Sequence, residues 1–361
     1  MECLKLRLVV KSKFVTAQTR KMPAPPLGII ASIASGFETV SARLELILLP
    51  LALDLFLWLG PHLSVKAVLD QSLALLLSLL ATPAGVDDAT AQSLAALRQQ
   101  LKVVFTTYGE RFNLFSRLST APLGLPSLIG GRGVLLAPGR PPATWFVDSA
   151  PEYVLFFASF SLLGLFLGAL YFGGIAQQVR DARLRWRLLL QQVWGDWARL
   201  TALTTVAVMV IALLSLPLML LAVLLALIHP LLAGFAVSTV ALWLLVYLGF
   251  TLHGIILQRR GLFGALWDSL RLAHVSLSQT LTLYTAVIFI YVGLDWVWGL
   301  PADDSWLLLI GVLGHAVVAT ALVAGTFVFY KDRYRWWLEM RQMVPARTQA
   351  GRDGANRSTR V

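Results

Sequence analysis

The sequence predicts an all-α membrane protein, a bundle of six membrane-spanning helices with an exported helical loop between spans 1 and 2 and interfacial amphipathic helices. Of the 361 residues, 57% are hydrophobic and 14% are charged, whereas soluble proteins carry about 25% charged residues. Leucine-rich runs recur at about 20 residues, the length that crosses a bilayer core. The alternating segments of about 10 residues that are typical of a membrane β-barrel are not seen.

The basic residues predict the orientation of this bundle. The net charge is +11, and 23 of the 30 Lys and Arg residues fall on one side of a six-span arrangement. Such clusters mark the cytoplasmic side. We therefore expect both termini in the cytoplasm and, without an organelle signal, a prokaryotic cytoplasmic membrane. Because these charges flank apolar spans, they predict contact with anionic lipid headgroups of the bilayer and no nucleic-acid binding.

The N-terminal region, residues 1–43, is predicted to be a cytoplasmic tail that leads into an interfacial helix. Residues 1–21 are basic and lack the apolar core of a secretory signal. We expect them to be a disordered tail or a misplaced gene start, with Met22 beginning the natural chain. The following segment has apolar residues at helical spacing, which predicts an amphipathic helix on the membrane surface; these are Ile29, Ile30, Ile33, Phe37 and Val40.

The remaining chain divides into four parts. Residues 44–60 form the predicted first span, in which Pro50 is expected to make a kink. Residues 61–150 form the exported region, with two helix candidates and a Gly- and Pro-rich loop. Residues 151–330 form a five-span bundle, and residues 331–361 form a basic cytoplasmic tail. The five spans cover about 152–177, 201–227, 232–257, 279–299 and 306–330.

Three ionisable residues form a candidate intramembrane polar site. Asp54 lies about 9 Å from the outer end of its span and His315 about 13 Å from the same side. Asp295 lies near the outer end of the fifth span. Burying an unpaired charge in a membrane is costly, so we expect each to face the interior and to have a partner. The group is either an ion or proton pathway or a set of structural hydrogen bonds.

Two pairs of small residues predict close helix packing. Gly164 and Gly168 form a Gly-x-x-x-Gly pair, and Ala321 and Gly325 repeat the same spacing in the last span. Small side chains at this spacing let two helices approach closely. The partner is another helix of the same chain or a second copy of the chain.

The cytoplasmic segment 261–276 predicts an amphipathic helix. Its apolar face predicts either a helix lying on the inner membrane surface or a docking helix for a partner subunit; this face holds Phe263, Leu266, Trp267 and Leu270. The stretch "GLFGALWDSLRLAHVSLSQTLTLYTAVIFIYVGL" carries Gly264, Ala265, Ser269 and Leu270, and "LLPLALDLFLWLGP" lies in the first span.

These two stretches, about a fifth of the chain, resemble uncharacterised bacterial polytopic membrane proteins related to the membrane domain attached to some glycerophosphodiester phosphodiesterases. The resemblance implies a six-span bundle with no established activity. It carries over no catalytic residue, because the phosphodiesterase domain has no counterpart in this sequence.

The sequence gives few signals of an enzyme. "GGRG" at 130–133 lacks the Lys-Ser/Thr ending of a phosphate-binding P-loop, and no Gly-x-Ser-x-Gly motif occurs. We predict no catalytic residue, no metal site and no cofactor. The expected function is a non-enzymatic accessory or permease-like module for transport or envelope maintenance. The alternatives are a membrane-embedded enzyme acting on lipid and a structural subunit of a larger membrane complex. Candidate partners are therefore a membrane subunit or a cytoplasmic subunit.

Overall fold

The structure, a computed structural model, describes residues 24–81, 87–120, 123–139 and 143–358. The nature of residues 1–21 therefore lies outside the described residues. Short 3-10 helices cover Leu44–Ile47 and Leu114–Leu118, and two strands are β1 (His62–Ser64) and β2 (Thr144–Phe146). The helices are α1 (Ile29–Ala42), α2 (Leu48–Leu59), α3 (Lys66–Leu79), α4 (Asp88–Arg111), α5 (Ala150–Asp181), α6 (Trp186–Ile228), α7 (Pro230–Leu248), α8 (Thr251–Leu257), α9 (Leu262–Val275), α10 (Leu277–Trp298) and α11 (Leu308–Ser358).

Five helical segments of the described chain are long and apolar enough to cross a membrane, and the chain is an all-α integral membrane protein. The segments are Ala150–Asp181, Trp186–Ile228, Pro230–Leu257, Leu277–Trp298 and Leu308–Met343. The predicted count of six spanning helices does not fit the described chain, because residues 44–60 contain no helix of spanning length. After the 3-10 helix, α2 has 12 residues, about 18 Å, against a bilayer core of about 30 Å. Pro50 lies in the first turn of α2 and does not kink it.

Helix α1 packs on α11 through small residues. Ser32 and Gly36 are buried, and a Cβ atom at Gly36 would lie 2.8 Å from the Cα of Gly325. Ile30, on the predicted apolar face, is 85% exposed. Val40, on the same predicted face, is buried, so this face is divided between the protein and its surroundings. Lipid solvates large apolar side chains, so the protein-facing side of a membrane helix is selected for close approach.

Helix α2 ends beside the connection between α10 and α11. The indole N–H of Trp58 donates to the carbonyl oxygen of Asp303 at 2.9 Å, and the Trp58 ring meets Trp306 edge to face at 5.7 Å. From this connection to the contact of α1 at Gly325, α11 rises about 26 Å. The chain from α1 to α2 therefore runs beside α11 over about 26 Å as a broken segment.

The region between α2 and α5 is helical but also contains a small sheet that the sequence pattern did not predict. Helices α3 and α4 pack against each other, and β1 pairs with β2 in parallel register, His62 opposite Thr144. The side-chain oxygen of Asn113 accepts from the backbone N–H of Leu63 at 3.1 Å and of Phe115 at 3.2 Å. Asn113 therefore ties β1 to the 3-10 helix that follows α4.

The Gly-x-x-x-Gly pair of α5 contacts the end of the 3-10 helix Leu114–Leu118 and the loop that follows it. A Cβ atom at Gly164 would lie 2.6 Å from the carbonyl oxygen of Leu118, and one at Gly168 would lie 3.0 Å from the Cα of Gly124. The apolar loop continues into the bundle, where it is almost completely buried at Leu125, Leu128 and Ile129. The pair thus meets a short 3-10 helix and a loop, whereas Ala321 and Gly325 meet a long helix, α1.

Helix α9 packs by its small residues and leaves its apolar face outside. Ala265 and Ser269 are buried, and the Ser269 hydroxyl donates to the carbonyl oxygen of Tyr247 at 2.7 Å. Phe263 and Trp267 are exposed, with Leu266 and Leu270 partly so. This face can meet lipid or a partner, the two interpretations that the sequence left open.

Residues from Asp332 onward belong to a separate compact unit. Helix α11 continues to Ser358, so the predicted basic tail is helical over its described part. Within this unit, Arg335 pairs with Glu339 at 3.0 Å, and the Arg341 guanidinium lies 4.8 Å from the centre of the Trp337 ring.

Candidate intramembrane polar site

Asp54 closes a turn of the buried loop. Its side chain is fully buried, and the hydroxyl of Ser127 donates to one carboxylate oxygen. The backbone N–H groups of Leu128 and Ile129 also donate to the carboxylate, at 3.0 and 3.2 Å. The Ser127 oxygen accepts in turn from the Gly130 N–H at 2.8 Å. A carboxylate in an apolar helix is thus satisfied by the donors of a loop, which a buried polar group requires.

His315 lies between the two predicted carboxylates. Its Nδ1 is 3.8 Å from Asp54 Oδ2, and its Nε2 is 3.7 Å from Asp295 Oδ1. Both distances exceed a hydrogen bond, whereas the Tyr291 hydroxyl lies 3.3 Å from Nε2. The His315 side chain is 2% exposed and that of Asp295 is 38% exposed. The structure therefore brings the three sequence-predicted residues together, with Asp295 as the member that reaches the surface.

Arg132 adds a positive charge at the end of α10. Its guanidinium donates to the carbonyl oxygens of Gly299 at 3.2 Å and Asp295 at 3.3 Å. A side chain at Gly299 would collide with that guanidinium. The last carbonyls of a helix have no intrahelical partner and carry partial negative charge. Arg132 therefore caps α10 and offsets some of the negative charge of the cluster.

A cavity of about 350 Å³ lies next to this cluster and shares Tyr291 with it. Its other polar lining residues are His253 and Thr326, whose Nε2 and hydroxyl oxygen are 2.9 Å apart. The Thr326 hydroxyl donates to the carbonyl oxygen of Val323 at 2.7 Å. His253 and Thr326 therefore form one hydrogen-bonded pair in the cavity wall, whose direction depends on the tautomer of His253.

Loop residues form one wall of this cavity. Leu125 and Pro126 line it together with Phe172 and Phe327. Pro126 directly precedes Ser127, the residue whose hydroxyl contacts Asp54. The Asp54 carboxylate therefore fixes the position of the cavity wall as well as the turn.

The similar depths of Asp54 and His315 are consistent with their approach, but the sequence pattern does not predict the loop partners of Asp54. Ser127 is 73 residues from Asp54, and a Gly-rich loop has no periodicity that assigns its partners. Tyr291 left a usable signal, since it lies four residues before Asp295 on the same face of α10. Arg132 lies in "GGRG", a glycine-rich stretch whose spacing does not predict a contact with the end of a helix.

The cluster contains titratable side chains, and one of them, Asp54, also holds the loop that forms a wall of the cavity. Within the described ranges, no group of three or more His, Cys, Asp or Glu side chains is arranged to hold a metal ion. Comparison with known proteins gives no match to a family model, a curated protein or a solved structure. What is established is an all-α integral membrane protein with a buried carboxylate–histidine cluster beside a cavity.

Proposed function

We propose that this chain is a non-enzymatic membrane module of the accessory or permease-like kind, serving transport or envelope maintenance. The observation that carries the proposal is the position of Tyr291. Its hydroxyl contacts His315 at 3.3 Å, and its side chain also lines the cavity. Ionisable residues inside membrane helices commonly mark a pathway for an ion or a substrate. A titratable cluster that touches a cavity is the arrangement such a pathway needs.

The cavity itself suits a small molecule that is largely apolar. Its volume, about 350 Å³, lies at the lower end of the usual range for ligand sites, about 300–1,000 Å³. Phe172 and Phe327 supply apolar walls, and His253 and Thr326 supply hydrogen-bonding atoms. Sites between the helices of a bundle have this composition. Asp54 contributes by holding the loop that closes one side.

We extend the proposal to topology. The broken segment from α1 to α2 crosses the membrane once, so that both termini lie in the cytoplasm of a prokaryotic cell. Support comes from its rise of about 26 Å along α11 and from the 23 of 30 Lys and Arg residues on one side. The proposal includes the resemblance to the membrane domain attached to some glycerophosphodiester phosphodiesterases. That resemblance would imply a six-span bundle and no activity.

Two alternative functions have their own supporting observations. An enzyme acting on lipid is favoured by the approach of Asp54 and Asp295 to His315 within 4 Å. However, Asp54 accepts three hydrogen bonds from the loop, which leaves Asp295 as the accessible carboxylate. A structural subunit is favoured by α6, whose most apolar window has none of its residues buried inside this chain.

Native mass spectrometry after gentle purification from membranes would test the proposal. For a permease-like module, we expect one small molecule retained stoichiometrically and lost in Thr326→Leu, which fills the cavity. The matched control is Gly234→Leu in α7, where a Cβ atom meets nothing within 4 Å. For an accessory module, we expect a stoichiometric membrane or cytoplasmic subunit instead.

Other outcomes point elsewhere. A chain that retains one defined lipid regardless of Thr326→Leu would favour lipid handling. A chain that carries neither a small molecule nor a subunit would contradict the proposed function.

A further inference from the structure

A second cavity, of about 340 Å³, opens between the end of α4 and the glycine-rich loop. Two arginines line it, Arg111 from α4 and Arg132 from the loop. Among the described residues that form its wall there is no Asp or Glu. The nearest carboxylate along the chain, Glu110, pairs with Lys66 at 3.6 Å. The cavity wall therefore carries two positive charges and no acidic residue, and the neighbouring Asp295 offsets part of the charge of Arg132 only.

Two glycines leave the space that lets these two arginines line the same cavity. Gly133 has a φ of +87°, and a Cβ atom there would lie 2.7 Å from the carbonyl oxygen of Arg111. A residue with a side chain would be strained in this backbone conformation and would also push the loop away from α4. Gly299 makes room for the Arg132 guanidinium in the same way. The spacing of "GGRG" thus serves to bring an arginine of the loop next to an arginine of α4.

The wall also offers neutral hydrogen-bond donors. Asn113 is 4% exposed, and its side-chain oxygen is occupied by the N–H groups of Leu63 and Phe115. This orientation leaves both N–H donors of its amide for other partners. Ser116 contributes a hydroxyl to the same wall. Arg132 uses two of its five N–H groups on carbonyl oxygens, so three remain.

We propose that this cavity binds a phosphate-bearing anion, either the headgroup of an anionic phospholipid or a free phosphate compound. Guanidinium groups match the geometry of phosphate oxygens and form two parallel hydrogen bonds with them. The attraction depends on side chains, because the carboxyl end of α4 points here and a helix end of that polarity repels anions. The cavity lies near the end of α2, where Trp58 and Trp306 are in contact, and tryptophan favours the headgroup level of a bilayer.

Calorimetric titration of the full chain in a nonionic detergent would test this site. The probes are dihexanoylphosphatidylglycerol, the zwitterionic dihexanoylphosphatidylcholine, and inorganic phosphate. We expect saturable binding of the anionic lipid, tighter than that of the zwitterionic lipid, and a loss of about tenfold in affinity in Arg111→Gln. Arg111 is exposed and can be changed without removing a helix cap, unlike Arg132. The matched control is Arg98→Gln, on the same helix but outside the cavity wall, which should bind as the wild type does.

The choice of probe distinguishes a lipid headgroup from a free phosphate compound. Binding of inorganic phosphate that also depends on Arg111 would identify a free phosphate compound as sufficient. Binding of the anionic lipid alone would identify a lipid headgroup. The proposed site is wrong if neither the anionic lipid nor inorganic phosphate shows saturable binding. It is also wrong if Arg111→Gln binds both of these probes as tightly as the wild type does.

Discussion

The two pairs of small residues in this protein have the same spacing, but different segments of the chain pack against them. On α11, Ala321 and Gly325 receive α1, and the closest approach is backbone to backbone at Gly36. On α5, Gly164 contacts the last turn of a short 3-10 helix and Gly168 contacts the loop that follows it, and carbonyl oxygens of this segment point at both glycines. A helix brings its own backbone hydrogen bonds to such a contact, whereas a loop must find partners for its N–H and C=O groups.

The difference shows that small-x-x-x-small spacing creates a flat surface without specifying what fills it. The loop can occupy the surface of α5 because Asp54 accepts its N–H groups at Leu128 and Ile129. Helix α1 needs no such anchor on α11. The packing of the loop therefore depends on one carboxylate, and the packing of the helix depends on shape.

Gly36→Leu should lower the stability of the protein most, because the leucine side chain would force the backbones of α1 and α11 apart. A Cβ atom alone would lie 2.8 Å from the Cα of Gly325, so α1 must leave α11. We expect a loss of about 3 kcal/mol or more in the free energy of unfolding, measured by denaturation in mixed detergent micelles. Gly234→Leu, at an open position, controls for leucine in a membrane helix. Equal stability of the two variants would show that the α1 contact is not tight.

Asp54→Asn should affect the loop strongly and the α1 contact hardly at all. The asparagine side chain carries no negative charge. Its NH₂ group also replaces one acceptor oxygen and therefore lies opposite an N–H group of the loop. Hydrogen bonds to charged groups contribute about 1.5–3 kcal/mol each, so we expect about 2 kcal/mol of destabilisation. In addition, the labelling of a cysteine at Gly131 by a maleimide should accelerate, in a background where Cys3, the single cysteine, is changed to Ser. A cysteine at Gly28, just before α1, should label at an unchanged rate; acceleration at both positions would mean that the two regions are not independent.

The class of fold and the depth of the polar residues followed from the sequence, because hydropathy and helical rise are local properties. The inward face of α1 did not follow. Water-soluble proteins bury their apolar residues, but in lipid the apolar Ile30 stays outside and Ser32 packs inside. The same inversion holds for α9, where Ser269 is buried and Phe263 is exposed. A rule that places small and weakly polar residues inside assigns most of both faces, with Val40 and Leu272 as the buried apolar exceptions.

The first span and the loop partners were beyond local reasoning for a different reason. The break at Arg43 separates α1 from α2 with an extended backbone conformation, and no proline or glycine marks it. The hydrogen bonds of Asp54 reach residues 73 to 75 positions away. Contacts at that separation depend on the whole packing, so neither could be read from spacing.

Alanine at the glycines should sharpen the comparison with a smaller change. At Gly164 the added Cβ atom would lie 2.6 Å from the Leu118 carbonyl oxygen, whereas at Gly325 it would lie 3.1 Å from the Cα of Ile33. The first contact forces the loop to move, and the second needs a shift of a few tenths of an ångström. We expect Gly164→Ala to cost about 2 kcal/mol and Gly325→Ala about 1 kcal/mol or less. The reverse order in thermal unfolding would mean that the loop yields more easily than the helix.

Ser127→Ala should give the smallest effect and test whether Asp54 needs the hydroxyl. Asp54 keeps the N–H groups of Leu128 and Ile129, while Gly130 loses the acceptor that lies 2.8 Å from its N–H. One such hydrogen bond contributes about 1 kcal/mol, which corresponds to about fivefold faster labelling of a cysteine at Gly131. Ser127→Thr keeps the hydroxyl and should label at nearly the wild-type rate. If Thr and Ala accelerate labelling equally, the shape of the side chain and not its hydroxyl holds the turn, and the anchoring of the loop would rest on the two backbone N–H groups alone.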